Sequence, residues 1–198
     1  MTMTMTMMPL IAGLLLFLGA HSVRIVAEAF RTRQLARLGE RRWKGLYTLV
    51  SIAGFVLIVW GYGVARQQPI VLWTTPVWLR HVAALLTLVA FIFVTAAYVP
   101  GNAIKARLGH PMVIGVKLWA FAHLLANNTL ADVVLFGSFL LWAVLSFRAA
   151  KARDRATGKV YVTGPLSRTL TAVAIGTLAW AGFVFWAHAA WIGVRPFG

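Results

Sequence analysis

Histidine is the residue type of this chain best suited to chemistry, because the 198 residues include no cysteine and only four carboxylates. Two of the five histidines, His21 and His123, fall well inside apolar stretches that must cross a membrane. An ionisable side chain within a bilayer is costly, and it therefore marks a candidate functional site. We accordingly expect these two side chains to serve metal binding or polar chemistry inside the membrane.

The number of available ligands favours haem over zinc. A structural zinc site takes four nitrogen or sulfur ligands, and a hydrolytic site takes three and a water. Without cysteine, several histidines would have to converge from different depths, whereas six-coordinate haem needs only two axial groups. A serine–histidine–acid triad is not indicated, since Asp132 is the only acid in its predicted hairpin and no nucleophile turn is visible. P-loop and Rossmann glycine patterns are absent from the sequence as well.

The composition is that of a membrane protein. Hydrophobic residues make up 61% of the chain and the mean hydropathy is +0.81, whereas soluble domains are nearer half apolar. We predict one integral membrane domain over residues 1–198, with the lipid bilayer as its main partner. The basic residues behind the net charge of +15 fall between the apolar runs. This distribution favours lipid anchoring and topology over nucleic-acid binding.

Six apolar segments are predicted to position the histidines. They cover approximately residues 8–27, 45–65, 77–99, 112–126, 130–147 and 169–191. A membrane helix needs about 20 apolar residues, so the fourth segment falls short. The predicted fold class is all-α, a polytopic transmembrane bundle of about six membrane helices. The first helix is predicted to continue as an amphipathic extension, and residues 148–159 are predicted to form a solvated basic connection.

Basic residues set the predicted topology. One side of the predicted membrane holds 16 of the 19 lysines and arginines, and the other side holds three. Because cytoplasmic connections are enriched in Lys and Arg, the N-terminus and the C-terminus are both predicted to lie outside.

Depth allows His21 and His123 to share a ligand. At about 1.5 Å per residue, His21 lies roughly 20 Å below the outer surface and His123 roughly 16 Å in from the cytoplasmic side. In a core about 30 Å thick, helix tilt and side-chain reach could close the remaining gap around a large planar ligand such as haem. The alternative is a neutral histidine bonded to a neighbouring helix, and depth alone leaves both interpretations open.

The remaining histidines are secondary candidates. His81 and His188 have similar predicted depths near the outer surface, which fits either a second cluster or ordinary interfacial roles. His110 precedes Pro111, and proline at the first helical position begins a helix well. His110 is therefore interpreted as the residue at which the fourth helix begins, where a polar side chain can cap it.

Four longer motifs resemble a known family. They read FLGAHSVRIV at 17–26, RLGERRWKGLYTLVSIAGFVLIVWGYGVAR at 37–66, GHPMVIGVKLWAFAHLLAN at 109–127 and WAHAAWIGVRP at 186–196. Together they are similar to the NnrU family over nearly the whole chain. That family is associated with bacterial nitrite and nitric oxide reduction (denitrification). The resemblance implies a multi-pass protein of the bacterial inner membrane.

The NnrU family is in turn similar to plant zeta-carotene isomerase, a membrane protein that uses haem b. This likeness implies haem b as the cofactor, with His21 and His123 as the axial ligands of the iron. Trp119 or Phe121 is then expected to line the pocket, and His81 and His188 also have counterparts in the isomerase. The isomerase carries a cysteine three residues before its second histidine. Here that position is Ala120, so a cysteine-based ligand switch is not implied.

Three functions stay open at this point. The first is a haem b protein that catalyses a redox or isomerase-type reaction on a nitrogen oxide or a lipid-soluble substrate. The second is a non-enzymatic accessory or assembly factor, with a redox partner or respiratory complex as its associate. The third is a membrane methyltransferase, suggested by the H-P-x-x-x-G pattern at 110–115. The basic connection that follows, with Asp154 as its only acid, argues against the third.

Overall fold

The computed structural model describes residues 3–197 and confirms the all-α prediction over that range. The elements are α1 (Met3–Val26), α2 (Glu28–Leu38), α3 (Glu40–Ala65), α4 (Trp78–Tyr98), α5 (Ala103–Leu108), α6 (Pro111–Ala126), α7 (Leu130–Thr157), α8 (Leu166–Gly182), a π-helical segment (Phe183–Ala187) and α9 (His188–Ile192). Within these residues the only β-type pairing is an isolated antiparallel bridge between Val71 and Thr129.

Five spans of the described chain are long and apolar enough to cross a membrane. They are Met5–Val26, Glu40–Ala65, Trp78–Tyr98, Leu130–Thr157 and Leu166–Ile192. The shorter α6 corresponds to the fourth predicted segment. Its 16 residues extend about 24 Å, less than the roughly 30 Å of a bilayer core. The chain is thus a multi-pass membrane protein with one short apolar helix.

The amphipathic extension predicted for the first helix is a separate helix. At Ala27 the backbone leaves helical geometry, with φ −138° and ψ 43°, and α2 begins at the next residue. No residue of α2 is buried. The helix ends at Gly39, whose φ of +77° is a conformation that glycine adopts without strain. The prediction of one continuous helix was wrong, and the break lets α2 take its own direction.

The fifth predicted segment is one continuous helix that is longer than predicted, whereas the first is interrupted. Helix α7 continues to Thr157 instead of ending near residue 147. The added sequence is rich in alanine, arginine and lysine, which are strong helix formers, and it contains no glycine or proline. The helix stops before Gly158, which has φ +61°. Most of the predicted basic connection is therefore helical.

The described residues form two compact units. The first comprises those of Met1–Trp73 together with Thr129–Trp142, and the second comprises Thr74–Asn128 together with those of Ala143–Gly198. Helix α7 contributes residues to both units.

Glycines allow α1 and α3 to approach closely in the first unit. A Cβ added at Gly13 would lie 2.5 Å from the backbone nitrogen of Ile58, and one at Gly54 would lie 2.7 Å from that of Phe17. A Cβ at Gly61 would clash with the backbone of Leu10. Small residues at helix crossings are a common means of association in lipid, where apolar burial alone gives little driving force.

A buried carboxylate fixes the start of α7 in the first unit. Asp132 is 5% exposed and accepts hydrogen bonds from the Tyr62 hydroxyl at 2.5 Å and from the Thr129 hydroxyl at 2.6 Å. It also accepts from the Thr129 backbone N–H at 3.0 Å, while the Asp132 N–H donates to the Thr129 hydroxyl. This reciprocal pair is a capping box. Asp132 therefore joins the start of α7 to Tyr62 of α3.

Helix α4 is central to the second unit, where it contacts both α6 and α8. A Cβ at Gly115 of α6 would lie 2.9 Å from the Ala90 carbonyl, and one at Gly176 of α8 would lie 2.6 Å from the Ile92 Cα. Lys117 is the only charged side chain of α6, and its Nζ lies 4.1 Å from the centre of the Phe147 ring. This cation–π contact accommodates the charge in an apolar helix.

Candidate functional site

The second unit contains a cavity of about 570 Å³. Its lining comes from α4, α6, the π-helical segment, α9 and the C-terminal residues after α9. Two of the five histidines, His123 and His188, line it together. Cavities that bind small ligands and cofactors are of this size, and they combine apolar walls with a few polar groups.

His123 lies in the last turn of α6 and is partly buried. Its Nδ1 lies 2.8 Å from the carbonyl oxygen of Trp119, four residues earlier in the same helix. Because a carbonyl only accepts, Nδ1 carries the proton and Nε2 carries the lone pair. Histidines that ligate metals commonly donate their other ring N–H to a backbone carbonyl in this way. This hydrogen bond orients the His123 ring from its own helix, as in such ligands.

His188 also donates a hydrogen bond through Nδ1, but the accepting carbonyl does not belong to the preceding helical turn. Its Nδ1 donates to the Val194 carbonyl at 2.7 Å, which ties the ring to the C-terminal residues. It directly follows the π-helical segment Phe183–Ala187. Short π-helical insertions in α-helices are frequent at functional sites. Phe183 and Val184 of the segment line the cavity beside His188, so the insertion shapes the wall on which this histidine lies.

Two arginines line the same cavity. Arg80 lies in the first turn of α4, and Arg195 follows α9 in the C-terminal residues. Asn127, which ends α6, also lines it and donates its side-chain N–H to the His123 carbonyl at 2.9 Å. Arg80 and Asn127 lie at helix ends, and Arg195 lies beyond the end of α9. Arginine is well suited to carboxylates because its guanidinium group can donate two parallel hydrogen bonds to them.

Aromatic side chains form much of the apolar wall. Trp119, Phe91 and Phe183 line the cavity, and the Trp119 ring lies 5.1 Å from that of His123. Trp119, one of the two residues predicted to line a haem pocket, is part of this lining. Phe121 is 46% exposed and does not line this cavity, so its predicted role finds no support here.

His21 belongs to the first unit and lines a different cavity, of about 550 Å³. Its Nδ1 donates to the Phe17 carbonyl at 2.7 Å, so its Nε2 also carries the lone pair. The ring stacks on Phe17 at 4.2 Å and lies 5.1 Å from the Tyr47 ring. In both predicted iron ligands the Nδ1 partner is thus a carbonyl of the same helix.

His81 does not share the cavity with His188. It is exposed and stacks on the Phe197 ring, with the ring centres 6.3 Å apart. His188 shares its cavity with His123 instead, which the similar predicted depths of His81 and His188 did not suggest.

His110 occupies the position before α6, as predicted, but its side chain makes no capping hydrogen bond. Its Nε2 lies 2.7 Å from the carboxylate of Asp154, which also accepts from the Tyr161 hydroxyl at 3.0 Å. Burial, together with Asp154, raises the pKa of Tyr161 to about 12, so the phenol remains a donor at neutral pH. His110 therefore does not cap α6 with its side chain. It links the start of α6 to the end of α7.

Several residues of these sites gave little signal in the sequence. Arg80 and Arg195 were counted only as charges that set topology, and nothing local joins positions so far apart. Asp154 and His110 lie 44 residues apart, and only the extra turns of α7 bring them together. Among residues 3–197, no group of three or more His, Cys, Asp or Glu side chains could hold a metal ion. Iron in a porphyrin needs only one or two protein ligands, so the haem prediction does not depend on such a group.

The helices and their glycine-rich crossings define a polytopic α-helical membrane protein with histidine-bearing cavities. The chain belongs to the NnrU family, since the family model described as "NnrU protein" matches residues 9–196. No curated protein and no solved structure matches the chain.

Proposed function

We propose that this NnrU protein binds haem b in the cavity of its second unit, with His123 as an axial ligand of the iron. The observation that carries the proposal is the placement of His123 and His188 around one cavity, each with Nδ1 bonded to a carbonyl and the lone pair on Nε2. Arg80 and Arg195 supply partners for the two carboxylates of the porphyrin. Trp119, Phe91 and Phe183 supply surfaces for its apolar rings.

The residues present fit the group by the chemistry of their donors. Neutral imidazole nitrogen is a common protein ligand of haem iron. His188 is the second-ligand candidate within the unit. His21 is the second ligand that the family resemblance implies, and its assignment rests on the sequence because it lies in the other unit. When bound, haem b supplies one-electron redox chemistry or an open iron position for a small ligand.

The chain's own contribution is positioning and exclusion of water. The Trp119 and Val194 carbonyls hold the two imidazoles in one tautomer and orientation. The aromatic wall keeps the reacting region apolar, while the arginines hold the polar edge of the ligand at the ends of the helices. We propose a redox or isomerase-type reaction at this site, linked to nitrite and nitric oxide metabolism in the bacterial inner membrane.

Absorption and electron paramagnetic resonance spectra of protein purified after haem-replete expression test the proposal. The wild type should show a Soret band that His123→Ala largely removes. His188→Ala and His21→Ala identify the second ligand, because its loss converts low-spin iron to high-spin iron. His81→Ala is the matched control, since this histidine lies in the same unit but does not line the cavity. A wild-type Soret band in a His123→Ala/His188→Ala double variant would overturn the assignment.

Function in cells separates the haem protein from the accessory alternative. If the protein acts only as an assembly factor for a nitrogen-oxide respiratory complex, His123→Ala should restore nitrite reduction to a deletion strain as well as the wild type does. If it acts through haem, the variant should fail while accumulating in the membrane at wild-type levels.

A further inference from the structure

The cavity of the first unit, which His21 also lines, contains cationic side chains that the proposed function does not involve. It lies where α1, α2 and α3 meet, around the break at Ala27. Three cationic side chains line it, Arg24, Arg31 and Lys44, against a single acid, Glu40. The surplus of cations indicates an anionic ligand.

The acids that pair with these cations are exposed and exchangeable. The Glu28 carboxylate lies 2.9 Å from Nη1 of Arg31 and 3.9 Å from Nε of Arg24, so it forms ion pairs with two guanidinium groups. Glu40 lies 2.6 Å from Lys44, and both of those side chains are 71% exposed. Exposed ion pairs contribute little to stability. A phosphate group can therefore replace a carboxylate at these cations without disrupting the fold.

The remaining wall of the cavity is apolar and aromatic. Val23, Leu35, Trp43 and Tyr47 line it. Tryptophan and tyrosine are enriched where a membrane meets water, because their rings are amphipathic. On α3 the side chains on either side of Tyr47 include exposed apolar ones, with Leu46 at 52% and Leu49 at 66% exposure. An acyl chain beside the cavity would find a continuous apolar surface.

Helix α2 has the character of a helix that lies on a membrane surface. None of its residues is buried, and Phe30 places its ring 6.2 Å from that of Trp43. The stretch from Arg24 to Lys44 contains seven cationic residues and two acidic ones. Basic cavities between membrane helices bind anionic lipid headgroups, and surface helices of this charge are attracted to anionic leaflets.

We propose that this cavity is a binding site for an anionic phospholipid, whose phosphate is held by Arg24 and Arg31. Lys44 adds a third cation, and Trp43 with Tyr47 marks the level of the headgroup. The apolar wall and the exposed side chains of α3 favour a lipid over a free phosphate ion. Because α2 contributes Arg31 and Leu35, bound lipid also holds α2 against the ends of α1 and α3.

Native mass spectrometry of the purified full chain, titrated with palmitoyl-oleoyl phosphatidylglycerol or phosphatidylcholine, tests the site. Wild-type protein should retain phosphatidylglycerol in preference to phosphatidylcholine. R24Q/R31Q should weaken phosphatidylglycerol retention by about tenfold or more. R33Q/R37Q is the matched control, because it removes two charges from the same surface region without touching the cavity lining. The control should stay within about twofold of the wild type.

A variant that should strengthen lipid binding keeps the test independent of folding, because a misfolded protein would not bind the lipid more tightly. E28Q removes the carboxylate that competes for Arg24 and Arg31, so it should tighten phosphatidylglycerol binding severalfold. Equal loss in R24Q/R31Q and R33Q/R37Q would overturn the site in favour of a general attraction to charge. Displacement of the lipid by millimolar inorganic phosphate would overturn the choice of a lipid. Loss of the Soret band in R24Q/R31Q would assign these arginines to haem instead.

Discussion

The two units present cavities of nearly equal volume, about 550 and 570 Å³, each with a histidine whose Nδ1 is bonded to a carbonyl four residues earlier. Their linings differ. Around His21 the cavity carries three cations and an acid, whereas around His123 it carries a second histidine, two arginines and several aromatic side chains. The histidine geometry is the same, so it does not distinguish the two sites. What surrounds each ring decides which ligand the cavity suits.

The largest effect on stability should come from a substitution where α1 and α3 cross in the first unit. Gly61→Leu drives a side chain into the backbone of Leu10, and we expect it to destabilise the protein by about 3 kcal/mol or more. Gly63→Leu is the control, since a Cβ there meets nothing within 4 Å. Thermal unfolding in detergent measures both. Similar melting temperatures for the two variants would show that close contact of α1 and α3 does not hold this unit together.

An intermediate effect should separate two tyrosines that make the same kind of bond. Tyr62 donates to Asp132, which is 5% exposed, and Tyr161 donates to Asp154, whose side chain is 13% exposed and also pairs with His110. Tyr62→Phe takes one of several donors from the more buried carboxylate and should cost about 1–3 kcal/mol. Tyr161→Phe should cost about 0.5–1.5 kcal/mol, because water can replace the lost donor. Unfolding in detergent ranks them, and the reverse order would contradict the role given to burial.

The smallest effect should come from the exposed charges of the first cavity. Lys44→Gln breaks the pair with Glu40, and because both side chains are 71% exposed the free energy of unfolding should hardly change. The same unfolding measurement in lipid-free detergent checks it. A clear loss of stability would mean that the cations of this cavity hold the fold and are not available to a ligand.

Hydropathy was sufficient to predict the membrane helices. The six predicted segments correspond to α1, α3, α4, α6, α7 and α8 with its continuation, because an apolar run of that length has few alternatives to a membrane helix. The errors lie where hydropathy ends and local backbone preference takes over. The break at Ala27 and the helical residues up to Thr157 are both in charged sequence, where apolar periodicity carries no information.

Individual residues of the site were predictable from the sequence, but which of them lie together was not. His123 and Trp119 lie four residues apart on one helix, so their proximity follows from helical spacing. Arg80 is far along the chain from His188 and Arg195, and a single sequence does not show that these helix ends meet. The pairing of His110 with Asp154 was missed for the same reason.

The π-helical segment before His188 determines the direction in which the side chains after it point. If these five residues were α-helical instead, the extra residue that the wider π-helical turn takes up would rotate everything downstream by about 100°. His188 would then point away from the cavity although every residue type needed for the site is still present. Deletion of one residue from the segment would compensate for this rotation, so a related chain that is one residue shorter here can be α-helical throughout and present the same surface to the same ligand.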